Sequence, residues 1–419
     1  MSTKPTVVYW NNGISHYIVG RFNAIARRGN LKFEAWWLHD KLPGRDWRVD
    51  PEEWEFPARL IPVRRTFGRP LQVPTAELAA VQPSVLVTGY SSPSWVLGIC
   101  AAVACGARVA FRILPTFDTW IVRSRWKEAL KSFLFRGVDG AKVSGRDAAA
   151  FAQRYGMPEE RMHVVTQSID VEHYARAREM GEYERARERT RLGLRGCVFV
   201  YSGRLWSKKG LDELFEAYGS VRSQCEDTSL LIVGNGVDEE RYRKLGDWIP
   251  GVVFAGFVQP KMLPTYYALG DVLVFPTLGD PYGLVVEEAM AAGLPVICSE
   301  AAGEIKSRLP DGKAGYIVPA ANARVLAERM LLLARDRALR STLGLEAARI
   351  VTTKSHEQYA IDFERFIDRL LAAPRRTTTE AVVMRQVGRV LMAARDRSSH
   401  PAASIGAGQL PAQAMKLHA

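Results

Sequence analysis

The sequence predicts an α/β protein of two doubly wound, parallel-sheet domains facing across a cleft. Three observations carry this expectation. At 419 residues the chain is long enough for two separate cores. Short β-branched runs alternate with helical stretches in the N-terminal part, and do so again after a charged interruption. Most of the later runs are apolar throughout, as strands covered on both faces require.

Val7-Val8-Tyr9-Trp10 reads as the first strand, with Gly13 in the loop after it and a helix from about His16 to Arg28. Phe33 to Leu38, Val85 to Thr88 and Arg108 to Leu114 read as further strands, with a helix from about Trp95 between the last two. Strands separated by helices imply right-handed βαβ units, hence a Rossmann-like sheet. Residues 171–196 are dense in charge and poor in large aliphatics, and read as a solvated helical linker. A second series follows. Cys197 to Ser202 is a strand, Leu211 to Val221 a helix, and Leu230 to Val233 a strand ending in Gly234-Asn235-Gly236. Val252 to Phe254, Val272 to Phe275 and Pro295 to Ile297 are the next strands. The expected division is therefore 1–170, linker 171–196, 197–355, and a helix over 356–373 that crosses back onto the first domain. A basic tail, 374–419, is expected to be largely disordered, with a short amphipathic helix over Glu380 to Ala393.

Composition narrows the function. Cys100, Cys105, Cys197, Cys225 and Cys298 are dispersed without metal-ligand spacing, which fits reduced, buried thiols in a cytoplasmic setting. No signal-peptide pattern is visible, and the longest apolar run, Trp95 to Ala107, falls short of the ~20 residues a membrane span needs. The net charge of +12 points to an anionic partner. No zinc-finger or RNA-binding pattern accompanies it, so nucleic acid is the least favoured partner.

Three constellations carry chemistry. Ser202-Gly203-Arg204-Leu205-Trp206-Ser207-Lys208-Lys209-Gly210 follows a strand and precedes a helix. Arg204 and Lys209 there suit the two anionic groups of a diphosphate; alone, two solvated loop cations would be the more ordinary explanation. Gly279-Asp280-Pro281-Tyr282-Gly283-Leu284-Val285-Val286-Glu287-Glu288 follows the strand ending at Phe275 and opens a helix. Gly283 permits close backbone approach, the helix N-terminus offers N–H groups to phosphate, Glu288 suits two ribose hydroxyls and Asp280 suits sugar hydroxyls. The competing role for one of these acids is plain stabilisation of the helix N-terminus. Gly256-Phe257-Val258, at another strand end, can flank a flat base; core packing of Phe257 is the simpler role for it alone.

Taken in this order the three motifs resemble glycosyltransferase family 4, of the GT-B fold. The Arg-x4-Lys pair matches Arg204 and Lys209, and the Glu-x7-Glu pair matches Asp280 and Glu288, followed by Ala289-Met290-Ala291-Ala292-Gly293-Leu294-Pro295-Val296. The resemblance covers about Val198 to Pro319. It implies a retaining transferase that binds a nucleoside-diphosphate sugar, with Arg204 and Lys209 on the diphosphate, Glu288 on the ribose, Asp280 on the sugar, and Phe257 and Val258 beside the base. Gly203, Gly236, Tyr282, Gly283 and Leu284 complete the expected donor site, with Gly13 approaching from the opposite domain. The first acid is Asp280, one methylene shorter than the family's usual Glu, and no His follows the fourth strand. Asp118 is the candidate there, with helix capping as its alternative role. His16 is the other, with a structural role as its alternative.

The expected reaction needs no metal and no resident cofactor, because the two cations neutralise the leaving diphosphate. The acceptor, a glycan or lipid-linked sugar, is expected on the first domain. The basic, aromatic segment 120–136, with Arg123, Trp126, Lys127, Lys131, Phe133 and Phe135, either rests on an anionic membrane at its inner face or is an ordinary amphipathic helix. The setting would then be bacterial polysaccharide or envelope-glycan assembly. Rival functions are a non-catalytic nucleotide-sugar binder and a sugar-nucleotide epimerase on the same fold.

Overall fold

The computed structural model describes residues 4–39, 46–114 and 124–394. The chain forms two compact units: residues 1–113, 122–166 and 356–419, and residues 114–121 with 167–355.

The first unit begins with β1 (Thr6–Asn11), α1 (His16–Arg28), β2 (Lys32–Trp37) and β3 (Ala58–Leu60). A small hairpin of β4 (Arg64–Thr66) and β5 (Arg69–Leu71) follows, then α2 (Thr75–Val81), β6 (Val85–Thr88) and α3 (Pro93–Ala104). β7 (Arg108–Ile113), α4 (Arg125–Gly137), β8 (Gly140–Val143), α5 (Arg146–Arg154) and β9 (Met162–Val164) complete the series. Seven strands form one sheet in the order β3-β2-β1-β6-β7-β8-β9, every pairing parallel. Successive side chains of β1 reach opposite faces. The Tyr9 ring lies 4.8 Å from Phe22 of α1, and the next residue, Trp10, packs edge-on against Trp95 of α3 at 6.5 Å. Helices therefore cover both faces.

The second unit opens with α6 (Val171–Ala175) and α7 (Glu182–Leu192), then β10 (Cys197–Ser202), α8 (Leu211–Gln224), β11 (Thr228–Val233) and α9 (Glu239–Gly246). β12 (Val252–Gly256), α10 (Leu263–Ala268), β13 (Val272–Phe275), α11 (Val285–Ala291), β14 (Val296–Ser299) and α12 (Ile305–Arg308) come next. β15 (Gly315–Val318), α13 (Ala323–Arg335) and α14 (Arg337–Val351) close it. Its six-stranded parallel sheet runs β12-β11-β10-β13-β14-β15, so the order reverses between β10 and β13. Both sheets have the Rossmann order, and both strand-order reversals mark where such sheets bind ligands.

The charged stretch expected to be a solvated linker packs on the second unit. Arg185 donates to the Ala268 and Gly270 carbonyls (2.8 and 2.6 Å) and to Asp271 Oδ1 (2.8 Å). Arg189 donates to the Leu269 carbonyl and to Asp271 Oδ2, both at 2.8 Å, and the Val198 N–H reaches that same oxygen at 2.7 Å. The arginines thus satisfy carbonyls at the end of α10 and in the two residues after it, which the helix leaves without intrahelical donors.

After β15 and its helices the chain returns to the first unit as α15 (His356–Ala372) and α16 (Thr379–Ala394). Tyr359, Phe363, Phe366, Ile367 and Leu370 of α15 share a core with Val7, Tyr9, Phe22 and Phe33. The amphipathic helix expected within the tail is α16, packed on α3 and α4. Its buried residues, Ala381, Met384, Gly388 and Leu391, recur at helical spacing. At Gly388 the helices approach so closely that a Cβ would sit 1.9 Å from the Cys100 carbonyl oxygen. Among the described residues no helix is long and apolar enough to cross a membrane.

Candidate functional site

Of the sequence-derived donor residues, Arg204, Lys209 and Asp280 lie on the segments that follow β10 and β13, the strands that flank the second sheet's reversal. Tyr201, in β10, is fully buried, and its hydroxyl donates to the Arg204 carbonyl at 2.8 Å. Burial, above all, pushes the Tyr201 hydroxyl's pKa up, with Asp280 adding to the shift and Arg204 opposing it. Both side chains therefore bear on this one hydroxyl. The Arg204 guanidinium lies 5.2 Å from the Trp206 ring centroid, and its Nε is buried with no hydrogen-bond partner among the described residues.

Lys209 ends a single 3-10 turn, Ser207–Lys209, and its Nζ pairs with Asp280 Oδ2. Both side chains are largely buried, so the pair is shielded from solvent screening. The loops are joined through their backbones as well. The Leu278 N–H donates to the Lys208 carbonyl (3.1 Å), and Leu205 pairs with Asn235 (2.8 Å) and Asp238 (3.0 Å), which brings the Gly236 loop alongside. Asp238 Oδ2 accepts from the Ser207 N–H at 2.8 Å.

Asp280 is fixed on three sides besides Lys209. Its Oδ1 accepts from the Tyr282 N–H at 2.8 Å, its N–H donates to Ala301 at 3.3 Å, and its carbonyl accepts from Gly303 at 2.9 Å. Gly283 follows with φ +76°, where a Cβ would stand 2.5 Å from the Phe275 ring, so only glycine makes this turn without displacement. α11 then starts, carrying two consecutive buried acids. Glu288 accepts from the Tyr267 hydroxyl at 2.7 Å. Glu287 turns the other way and takes Arg308 in a two-pronged pair, Nε–Oε1 and Nη2–Oε2 both 2.7 Å.

Arg308 holds the Asp280 loop together. Its guanidinium donates to the carbonyls of Gly303 (2.7 Å), Gly283 (3.0 Å) and Tyr282, and lies 3.8 Å from the centroid of the Tyr282 ring. Burial disfavours its charge, but the Glu287 carboxylate more than offsets that, and the Arg308 pKa rises above its ordinary value. Such a pair contributes little net stability, yet removing one member leaves the other buried and unpaired.

The structure brings Arg204, Lys209 and Asp280 together, with Gly203 and with Tyr282, Gly283 and Leu284 in the adjoining segments. Glu288 stands on the helix that this segment opens, directed at Tyr267. Phe257 and Val258 follow β12, each partly buried. Gly13 and His16 belong to the first unit at the carboxyl end of β1. Gly13 is buried, and the His16 ring lies 3.7 Å from Tyr17 and 5.0 Å from Trp47. Asp118 and Arg123 lie outside the described residues. In the basic segment two of the residues offered for a membrane face inward, as the packed-helix alternative has it. Lys131 Nζ pairs with Glu128 Oε1 at 2.6 Å, and Phe135 is wholly buried against Phe111 and Tyr155. The α4 face that remains exposed carries Arg125, Trp126, Lys127 and Leu130. Sequence reasoning missed Tyr201, Tyr267, Glu287 and Arg308. The one legible signal was Glu287 beside Glu288 in an otherwise apolar helix, where two buried acids need two partners.

Residues 196–336 match the family model described as Glycosyl transferases group 1. The chain is 27% identical over 290 residues to the sulfoquinovosyl transferase SQD2 of Arabidopsis thaliana, covering 66% of this chain and 52% of that protein. It is 29% identical over 248 residues to a phosphatidyl-myo-inositol mannosyltransferase of Mycobacterium leprae, covering 57% and 62% respectively. These matches span little more than half of each relative's length. Among solved structures, Anabaena Alr3699/HepE in complex with UDP is similar at TM-score 0.71 and 16% identity, covering 87% of this chain and 99% of that one. The same protein with UDP-glucose gives TM-score 0.69 at 15% identity, covering 88% and 100%. The chain thus has the GT-B fold of glycosyltransferases, and the unit that holds the Arg204–Lys209–Asp280 cluster is the part that matches Glycosyl transferases group 1.

Proposed function

We propose that the chain is a retaining, metal-independent glycosyltransferase of the family 4 type, which moves a hexosyl group from a nucleoside diphosphate onto an acceptor hydroxyl. The observation that carries this reading is the convergence of Arg204, Lys209 and Asp280 at the strand-order reversal of the second sheet. Arg204 and Lys209 hold the diphosphate oxygens; Lys209 exchanges Asp280 for phosphate, and Asp280 then accepts from a sugar hydroxyl. Glu288, oriented by the Tyr267 hydroxyl, accepts from the ribose, and Phe257 and Val258 border the base. The acceptor oxygen bonds to the anomeric carbon as the bond from that carbon to the diphosphate breaks. The electron pair and the acceptor's proton both go to the leaving phosphate oxygen. Fixed cations stabilise this developing charge without rearranging at the moment of reaction. The named activities of the Arabidopsis and Mycobacterium relatives, and the UDP and UDP-glucose in the Anabaena structures, support a nucleotide-sugar donor. Glycan assembly at the inner face of a membrane is the setting in this reading, the exposed face of α4 being basic and aromatic.

A thermal-shift screen against nucleotide sugars tests the donor site. A cognate donor raises the melting temperature of the wild-type chain, and Lys209→Ala and Glu288→Ala each lose most of that rise. Wild-type shifts in both variants would reject the assignment.

A further inference from the structure

A two-stranded ribbon stands at the ligand end of the first unit's sheet and carries an aromatic ring at its tip. β4 and β5 pair antiparallel, with Arg65 opposite Pro70 and Thr66 opposite Arg69. The turn between them is Phe67-Gly68, with φ +50° and +74°. A two-residue hairpin loop with both central residues in the left-handed region favours asparagine before glycine. A bulky residue is strained there. Phe67 is 68% exposed, so burial within the chain does not offset that strain. Val63, just before β4, is 63% exposed.

Arg65, Arg69 and Pro70 are exposed too. Successive residues of a strand alternate sides and opposed residues share one, so Arg65 lies on one face of the ribbon and Arg69 on the other. The tip thus offers one ring with a cation on either side. No acid occurs in the sequence between Glu55 and Glu77, a stretch that holds Arg59, Arg64, Arg65 and Arg69. Two of these are taken up inside the unit. Arg59 pairs with Glu34, and Arg64 makes a two-pronged pair with the buried Glu77 of α2, at 2.7 and 3.0 Å.

The root of the ribbon is fixed as well. The Gln72 side-chain amide donates to the carbonyls of Leu38 (2.6 Å) and Ile61 (2.7 Å), and the Gln72 N–H donates to Ser94 Oγ (3.1 Å). Leu38 and Ile61 follow β2 and β3, and Ser94 lies in the first turn of α3, which follows β6. These are the carboxyl ends of the strands, where doubly wound sheets bind ligands.

We propose that the β4–β5 hairpin docks the first unit on an anionic lipid bilayer, with Phe67 at the boundary between headgroups and tails and Arg65 and Arg69 on lipid phosphates. A protein partner is the poorer fit. Phe67 and Val63 are two isolated apolar side chains, far from the ~800 Å² per partner of a stable protein interface. A bilayer requires no complementary surface, and apolar and basic side chains together suit its anionic face. The contact is separate from α4 and α16. That it presents the sheet's ligand end to a lipid-borne acceptor rests on the transferase reading above; the docking itself does not.

The test uses the full chain with vesicles of phosphatidylcholine alone and of phosphatidylcholine mixed with phosphatidylglycerol. The mixed vesicles are expected to sediment the chain and the neutral ones are not. Phe67→Asn should weaken that binding at least ~10-fold, with a melting temperature equal to wild type or higher, because asparagine suits the turn. Arg65→Gln and Arg69→Gln should each weaken it ~5-fold. Amide hydrogen exchange over residues 66–69 should slow on the mixed vesicles. The nucleotide-sugar shift should persist in all three variants, so failure here is separable from failure of the donor site. Equal lipid binding by wild type and Phe67→Asn overturns the proposal, as does unaltered exchange at the tip or no sedimentation of the wild-type chain. A dimer that Phe67→Asn dissolves, with lipid binding unchanged, assigns the tip to a second copy and overturns it too.

Discussion

Arg308 shows how one residue can set a loop without touching a ligand. It joins three carbonyls, one aromatic ring and one carboxylate; four of those five groups lie in the stretch from Tyr282 to Glu287, and the fifth is the Gly303 carbonyl. Replacing it with methionine leaves Glu287 buried and unpaired, a loss of ~3–5 kcal/mol by the usual behaviour of such pairs. The double substitution Arg308→Met with Glu287→Leu should recover much of that stability, because it removes both charges. It should not restore the carbonyl contacts, so donor KM rises while melting temperature recovers. Denaturation curves together with donor KM check this; recovery of both would make Arg308 purely structural. The same residue marks a limit of sequence reading. Arg204 and Lys209 were legible because they lie within one loop, and so was the Asp280–Glu288 spacing. Arg308 lies outside both motifs, and its pairing with Glu287 joins α12 to α11 across 21 residues of chain.

At the scale of elements, apolar strands were readable even at four residues, and β8 was not. β10, β11 and β13 are continuous apolar runs, whereas β8 is four residues with Lys142 in its middle, and a cation there hides a strand. In the C-terminal tail the helix over Glu380 to Ala393 was legible and is α16, but its docking was not. α16 leaves Val382, Val383, Val387 and Val390 between 38% and 60% exposed, interspersed with arginines, so its inward stripe of Ala381, Met384, Gly388 and Leu391 looks weak in sequence. That stripe works because small residues let α16 lie close on α3. Gly388→Val should force the helices apart at Cys100 and lower stability by ~1–3 kcal/mol. Limited proteolysis should then cut near α16 at temperatures where the wild-type chain resists. Wild-type resistance would mean the helix docks by other contacts.

At the scale of the molecule, a chain of net charge +12 presents apolar side chains beside its cations on α4 and α16, which pack together. Trp126 is 87% exposed and Val390 60%. Vesicles of anionic lipid should therefore sediment the chain, and neutral vesicles should not. Trp126→Ser should weaken that binding by about tenfold, the worth of burying one large apolar side chain. An equal response to anionic and neutral vesicles would dismiss the membrane reading, leaving the inward-facing Lys131 and Phe135 as signs of an ordinary packed helix.

The return of α15 to the first unit has a consequence for synthesis on the ribosome. Tyr359, Phe363 and Phe366 line the same core as Tyr9 and Phe22, and residues 167–355 of the other unit must be made in between. At ~5–20 residues per second that interval is on the order of 10–40 s, during which the nascent N-terminal half lacks the share of that core that α15 supplies. The half translated first is the last to be completed, and chaperones have their longest opportunity there.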